Sequence, residues 1–445
     1  MKVTVVGTGY VGLVTGVLLA SKGHSLYCVD KDPEKIKKLR NKIIPIYEPG
    51  LDNLFLENYE RIKPTEDLMN SVGESEVIFI AVGTPFDGEK IDLTYIEEAA
   101  REIGDALVNI SEFKVIVVKS TVIPNTTLNV VKKIVLERSR KDNSHIGFCM
   151  NPEFLREGKA VTDFMYPDRI VLGVTDDYTE QVMRKLYCGF ENVDILITNP
   201  TTAEMIKYTA NSFLALCISY SNEIARICEK INDVNSIDVF RGVILDKRIS
   251  PIINGQRVFP ELISYLRAGC GFGGSCFPKD VKALASFEKE YKVDSRLLEG
   301  LLYINETQIA HIFKLGIENF IGNPKTIAVL GTAFKDDTDD IRESPGIKII
   351  EEALKRNFKV QVHDCIAIEN TKQRFGNSVK YFESIVETIW NADIIYVTTI
   401  WDGYKKITDE QFEAALNKNS LLIDCRSIYN DRENKKWRIK VGYNN

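Results

Sequence analysis

The chain has 445 residues, 44% of them hydrophobic and 27% charged, with a formal net charge of −6 and a pI near 5.6. That length exceeds one ordinary core, so two or three globular domains are expected. The acidic balance argues against a nucleic-acid backbone or an anionic membrane as partner, since both need clustered excess Lys and Arg. Nine cysteines, an odd number without a C-x-x-C, and only four histidines argue against a disulfide framework or a zinc site, and no metal is expected.

Taken in chain order, residues 2–6 (KVTVV) read as a strand, GTGYVG as a tight turn, and the apolar-periodic stretch to Lys22 as a helix. The segment from Val3 to Ala20 imitates a signal peptide, but its glycines at 7, 9, 12 and 16 and the lack of a cleavage pattern argue against one. No run approaches the roughly 20 apolar residues of a membrane span, so the expected compartment is a reducing cytoplasm. Further strands, Ser25–Val29 ending on Asp30, Val77–Val82 and Val115–Lys119, are separated by helical stretches, which predicts a parallel, doubly wound sheet.

The strand, glycine turn and helix, with Asp30 at the end of the next strand, form the pattern of a dinucleotide site. Gly7, Gly9 and Gly12 permit the turn, the approach of a pyrophosphate and tight helix packing. Asp30 is placed to accept hydrogen bonds from the adenine-side ribose and to repel a 2′-phosphate, which favours NAD over NADP; Lys31 and Lys35 nearby weaken that preference. Gly83-Thr84-Pro85 and Lys119-Ser120-Thr121 each end a strand of the same sheet, where ligand crevices form, although ordinary turn chemistry accounts for either equally well.

From Thr201 to about Asn232 the spacing predicts one long helix of roughly 45 Å. It reads either as a spine between two α/β units with a face for dimerisation or as a helix buried within one chain. On it Lys207 and Asn211, at i and i+4, share a face. In residues 269–280, GCGFGGSCFPKD, Cys276 stands in a glycine run where backbone can come close to a ligand, with Lys279 and Asp280 to modulate the thiol and accept a proton. An inert structural cysteine is the blander reading, and Cys270 competes without a downstream acid. From Lys325 the segments TIAVLGTAF, VQVHD ending at Asp364, ADIIYVTT and SLLIDCR echo the first unit without a full G-x-G-x-x-G. They predict a sheet of related topology whose strand ends face something other than the first dinucleotide.

A nicotinamide cofactor beside a nucleophilic thiol has a specific use: an alcohol is oxidised to an aldehyde, captured as a thiohemiacetal, oxidised again to a thioester and hydrolysed to a carboxylate. In order along the chain, GTGYVGLVTGVLLASKGH, IPIYEPGLDNL, NPEFLREG (151–158), AEMIKYTANSFLA, GFGGSCFPKD, GTAFKDDTDDIRESP and WDGYKKI resemble the UDP-glucose/GDP-mannose dehydrogenase family over essentially its whole length. The resemblance implies an α/β fold of two Rossmann-like doubly wound sheet domains, joined by a long central helix and a helical dimerisation region, divided at 1–200, 201–315 and 316–445. It implies Cys276 as nucleophile, Lys207 as oxyanion stabiliser, Asn211 and Asp280 as groups that position and accept protons, and Thr121 with Glu153 to order a water.

On the same resemblance NAD is held by Gly7, Gly9, Tyr10, Val11, Gly12, Asp30, Lys35, Gly83, Thr84, Pro85, Ser120, Thr121, Glu157 and Arg342. The nucleotide sugar meets Glu153, Phe154, Leu155, Arg156, Lys207, Asn211, Arg248, Tyr265, Arg267, Gly271, Phe272, Gly273, Lys335 and Arg426. The cations offset the charge of two phosphates in an acidic protein. The arginine matching Arg248 serves a neighbouring subunit's site, which implies a homodimer or a higher homo-oligomer. The implied reaction is NAD-dependent four-electron oxidation of UDP-glucose at C6 to UDP-glucuronate. A UDP-N-acetylhexosamine or GDP-mannose is the alternative substrate, and a non-catalytic binding protein on this fold the alternative class. One stretch departs from the family pattern: after Asp246-Lys247-Arg248-Ile249 an insertion occupies residues 250–262, beside the part expected to grip base and sugar.

Overall fold

The computed structural model describes residues 1–294, 296–429 and 431–443. These form two compact units, Met1–Ala210 and Asn211–Asn445.

The first unit holds eight strands: β1 (Lys2–Val6), β2 (Ser25–Val29), β3 (Ile62–Thr65), β4 (Val77–Ile80), β5 (Lys114–Val118), β6 (Ile146–Met150), β7 (Arg169–Val174) and β8 (Asp194–Thr198). Their order is β3-β2-β1-β4-β5-β6-β7-β8. Pairing is parallel from β3 to β6, but β7 runs antiparallel to β6, with Cys149 opposite Val174. The expected parallel sheet is therefore extended by a reversed pair, β7 and β8, that are parallel to each other. Alternation along β1 explains the two-sided core: Val3 and Val5 join Leu13, Val17 and Leu18 on one face, while Val6 joins Ile78, Ile80 and Ile103 on the other. Central strands β4, β5 and β6 are buried throughout, as strands covered on both faces must be. The helix Tyr10–Ser21 is buried from Gly12 to Ala20, which is why its sequence is apolar on every side.

In the second unit a short hairpin, β9 (Ile252–Ile253) and β10 (Gln256–Arg257), precedes a six-stranded sheet. Its strands are β11 (Thr326–Leu330), β12 (Lys359–His363), β13 (Lys380–Tyr381), β14 (Ile394–Val397), β15 (Leu421–Asp424) and β16 (Arg438–Lys440), all parallel, in the order β13-β12-β11-β14-β15-β16. Counted from its own first strand, this repeats the order of β1 to β6. Ile327 and Val329 face one core with Ile350 and Val362; Ala328 and Leu330 face the other with Val397 and Phe412.

The long helix runs Pro200–Cys228 rather than to Asn232, because the chain tightens there into turns in which the Lys230 and Ile231 amides donate to the carbonyls three residues back, Ile227 at 3.0 Å and Cys228 at 3.1 Å. The insertion is an ordered hairpin. Asn254 and Gly255 both have positive φ (50° and 78°), the geometry of a two-residue I′ turn, and the Arg257 guanidinium donates to the carbonyls of Leu245 and Ser250 at 2.8 Å each. Among the described residues no helix is long and apolar enough to cross a membrane.

Candidate active site

The first cluster lies at the carboxyl ends of β1, β2, β4 and β5. Gly7 has φ +96°, and a Cβ added to Gly12 would lie 1.9 Å from the Gly7 carbonyl, so the turn packs directly on the helix it opens. A Cβ on Gly9 would meet nothing within 4 Å. The start of the Tyr10–Ser21 helix, with its unbonded N–H groups, therefore borders open space on the side where a pyrophosphate would run. The Asp30 carboxylate accepts from the Thr8 amide and the Thr8 hydroxyl, both at 2.7 Å, and from the Asp32 amide at 3.0 Å, with Lys35 Nζ at 3.5 Å. Burial opposes its ionisation, but those donors and Lys35 outweigh it and hold the carboxyl below its usual range. The rim is cross-tied: Thr84 donates to the Thr121 carbonyl at 2.8 Å and Ser120 to the Val82 carbonyl at 2.7 Å, leaving Gly83 and Pro85 exposed. An open helix start, a glycine turn and an anionic strand-end acid fit a dinucleotide without a 2′-phosphate. Val11 and Glu157 are half-buried in this unit.

Close in the same unit, Lys207 and Glu153 form a buried ion pair of 2.9 Å with side chains 3% and 5% exposed. Burial opposes the Glu153 charge; the Lys207 ammonium and the Leu155 amide, which donates at 2.7 Å, prevail and hold the carboxyl low. Phe154 offers its ring to the Arg169 guanidinium at 3.9 Å and to Lys207 Nζ at 5.6 Å. Arg156 is paired with Asp163 at 2.6 Å. Sequence reasoning missed Lys119 as a member of this group: its ammonium is buried, donates to Asn151 Oδ1 at 3.0 Å, and is pushed down to about 8 by burial, with Glu153 opposing that shift. The K-S-T strand end was the available signal, since a lysine at the end of an apolar strand has no reason to be there unless its charge is used or suppressed.

The second unit explains the glycine run. A Cβ on Gly271 (φ +78°) would strike Asn305 Oδ1 at 2.4 Å, and one on Gly274 (φ +80°) would enter the Phe334 ring at 2.7 Å. Far from being slack, the loop is pressed between walls that only glycine tolerates. It is also bonded on every side. Asn305 accepts from the Phe272 amide (2.9 Å) and donates to its carbonyl (3.1 Å), Gln308 donates to the Gly269 carbonyl (2.6 Å), and the Gly269 amide donates to Asn222 (2.8 Å). These three carboxamides, all buried, carry no sequence motif of their own and were not anticipated.

The loop delivers Cys276, partly exposed, to the N-cap of the helix Phe277–Glu290, with Ser275 Oγ 3.5 Å from its sulfur. The helix dipole favours negative charge there. One turn on, Asp280 is 1% exposed and accepts from Asn211 Nδ2 at 2.6 Å and Lys279 Nζ at 2.7 Å. Cys270, the competitor, is buried in the second unit's core, and burial pushes its thiol up; of these two cysteines Cys276 is the accessible one and the one beside an acid.

The expected cations of this unit are dispersed in their partnerships. Arg426 donates to three carbonyls, Thr398 (2.7 Å), Gly271 (3.2 Å) and Phe334 (3.1 Å), and so braces the cysteine loop. Arg342 pairs with Asp340, Lys335 Nζ lies 5.6 Å over Phe334, and Tyr265 faces Phe277 at 6.3 Å. Arg248 is 89% exposed and held by its neighbour Asp246 at 2.6 Å, whereas Arg267 is exposed and has no side-chain partner among the described residues. Phe272 is buried and Gly273 packs on the Glu343 carbonyl. No group of three or more His, Cys, Asp or Glu among the described residues is placed to hold a metal.

A dinucleotide cradle on one Rossmann sheet, a buried lysine–glutamate pair and an accessible cysteine at a helix start define an oxidoreductase of nicotinamide type. Residues 1–191 match the NAD binding domain of the UDP-glucose/GDP-mannose dehydrogenase family, 201–307 its central domain and 328–431 its UDP binding domain. A UDP-glucose 6-dehydrogenase of Rickettsia bellii is 39% identical over 439 residues, covering 96% of this chain and 95% of that one. The UDP-glucose 6-dehydrogenase TuaD of Bacillus subtilis is 39% identical, covering 97% and 90%. Among solved structures, a UDP-glucose dehydrogenase from Pyrobaculum islandicum matches with a TM-score of 0.89 at 33% identity, over 99% of this chain and 97% of that one. A UDP-D-ManNAc dehydrogenase from Pyrococcus horikoshii matches at 0.83 and 26%, over 99% of both. The chain belongs to the UDP-glucose/GDP-mannose dehydrogenase family and is an NAD-dependent dehydrogenase.

Proposed function

We propose that this protein oxidises UDP-glucose at C6 to UDP-glucuronate in two two-electron steps, with Cys276 holding the sugar between them. The observation that carries the reading is the placement of an accessible thiol at a helix N-cap, one turn from an Asp280 fixed by Asn211 and Lys279. Bound NAD supplies the acceptor for each hydride. The cradle residues Gly7, Gly9, Gly12 and Asp30 hold it, with Tyr10, Val11, Lys35, the 83–85 rim, Ser120, Thr121, Glu157 and Arg342 as further contacts. Lys207 stabilises the developing oxyanion at C6. The Cys276 sulfur adds to the C6 aldehyde, forming a C–S bond as the carbonyl oxygen takes negative charge. After the second hydride has left C6 the sulfur carries a thioester. Water, ordered by Thr121 and Glu153, attacks that carbonyl and the C–S bond breaks, returning the thiolate and releasing a carboxylate; Asp280 and Asn211 position the proton acceptor.

The relatives at 39% identity, named as UDP-glucose 6-dehydrogenases, favour UDP-glucose over another nucleotide sugar. Sugar and diphosphate contacts fall to Glu153–Arg156, Lys207, Asn211, Arg248, Tyr265, Arg267, Gly271–Gly273, Lys335 and Arg426. The protein works in the cytoplasm as a homodimer or a higher homo-oligomer. Phe213, Tyr220 and Ile227, seven residues apart on the long helix and about half exposed, supply an apolar seam for that dimer. The direct test is NADH formed per UDP-glucose consumed, with NAD in excess and the sugar run to exhaustion. A ratio of two with UDP-glucuronate as product supports the reading. A ratio of one removes the role of Cys276, and a ratio of two only with a different nucleotide sugar transfers the reaction to that substrate.

A further inference from the structure

The segment IPIYEPG places one buried carboxylate, Glu48, outside every role assigned above. Three donors converge on it. The Tyr10 hydroxyl donates to Oε2 in a short hydrogen bond, the Gly158 amide donates to Oε2 at 2.7 Å, and the Ala160 amide donates to Oε1 at 2.7 Å. Tyr10 belongs to the glycine turn and opens its helix; Gly158 and Ala160 close the segment that carries Glu153 and Glu157 and begin the helix Ala160–Met165. Two stretches far apart in sequence, one for the cofactor and one for the reacting sugar, are thus joined through a single side chain. Burial, and then the bond to Glu48, push the Tyr10 phenol well above its ordinary range, so it stays a donor; Glu157 lies near enough to add to the same effect. A carboxylate with three charge-assisted bonds is stiff, because movement of any one donor leaves a buried acceptor or amide unsatisfied.

We propose that Glu48 is a positioning residue that transmits the seating of the dinucleotide on the Gly7–Gly12 turn to the 153–160 segment, so that cofactor binding orders Glu153 and Glu157. The coupling concerns NAD binding alone and stands whether or not UDP-glucose is the substrate.

Hydrogen exchange at the Gly158 and Ala160 amides, with and without saturating NADH, reads the coupling without turnover. In the unaltered protein NADH slows exchange there by about tenfold or more, the scale of one charge-assisted bond made persistent. Tyr10→Phe removes one hydroxyl and leaves the carboxylate in place. Its NADH affinity is measured by cofactor fluorescence and exchange is read at a concentration that saturates the variant, where the slowing falls below about threefold. Glu48→Gln speeds exchange of the same amides about tenfold without cofactor. An equal slowing in Tyr10→Phe, or no slowing in the unaltered protein, overturns the proposal, as does Glu48→Gln that melts earlier while both amides respond to NADH as before. If Glu48→Gln does not fold, Tyr10→Phe decides alone.

Discussion

Over their first six strands the two Rossmann sheets share one strand order, and they diverge at the connection after the first strand. In the first unit residues 7–9 join β1 to its helix; in the second, residues 331–344 separate β11 from the helix Pro345–Lys355. The packing that ends each connection is the same, since a Cβ on Gly12 would meet the Gly7 carbonyl at 1.9 Å and one on Gly346 the Gly331 carbonyl at 2.1 Å. The acids that follow the second strand differ in what they serve. Asp30, at the edge of an open turn, takes three donors on Oδ2 but, among the described residues, the Asp32 amide alone on Oδ1, which keeps accepting capacity. Asp364 is buried and accepts from the amides of Thr332 (2.6 Å), Ala333 (3.0 Å), Ile366 (2.9 Å) and Ala367 (2.8 Å) and from the Trp401 indole (3.3 Å). With five donors it has no lone pair to offer a ribose. Strand order and a strand-end acid therefore do not make a dinucleotide site; a short glycine turn and an unspent carboxylate do.

The contrast can be broken most severely at Cys276. Cys276→Ser keeps the fold of the second unit and the NAD cradle of the first, and steady-state NADH production from UDP-glucose drops by about a thousandfold or more. A drop in step with Cys270→Ser would erase the distinction between the two thiols.

Next in size are the paired acids. Asp30→Ala weakens NAD binding by about 10- to 100-fold in a fluorescence titration, the loss of one or two bonds to a charged acceptor. Asp364→Ala leaves that affinity within about threefold and instead costs roughly 3 kcal/mol of unfolding free energy in urea, because several buried donors lose their acceptor together. The reverse pattern would mean that the second sheet holds the dinucleotide.

The smallest effect is a pH response in the first unit. Glu204 accepts from the Asn125 and Thr127 amides at 2.6 and 2.7 Å, but burial dominates and pushes its carboxyl up to about 7. Its folded value lies above the unfolded one, so its stabilising contribution is full below about pH 4.5 and is lost as pH rises through about 7, up to about 3 kcal/mol. Glu204→Gln should flatten the difference in melting temperature between pH 5 and pH 8 by a few degrees; an unchanged slope removes Glu204 as its source.

How far the sequence discloses this follows from the range of each signal. The GTGYVG turn, Asp30 and the apolar strands announce themselves locally, because backbone geometry and two-sided burial constrain adjacent residues. The second sheet is legible as strands but not as a site, since only the fold reveals that Asp364 is consumed by its own backbone. Asn254-Gly255 encodes a hairpin within the insertion, although its exposed apolar residues do not alternate and so give no strand period. Glu48, Asn222, Asn305 and Gln308 act through contacts many residues away, and nothing in their immediate neighbours marks them. Lys119 stood next to a recognised Ser-Thr strand end, yet its significance rests on burial, which one sequence does not display.

The most direct measurement is an acid quench of the protein turning over UDP-glucose with NAD, followed by peptide mass analysis of the segment containing Cys276. The account predicts a sugar-acyl adduct on Cys276, absent without NAD and absent in Cys276→Ser. An unmodified Cys276 under turnover, or the adduct on a different cysteine, would contradict it.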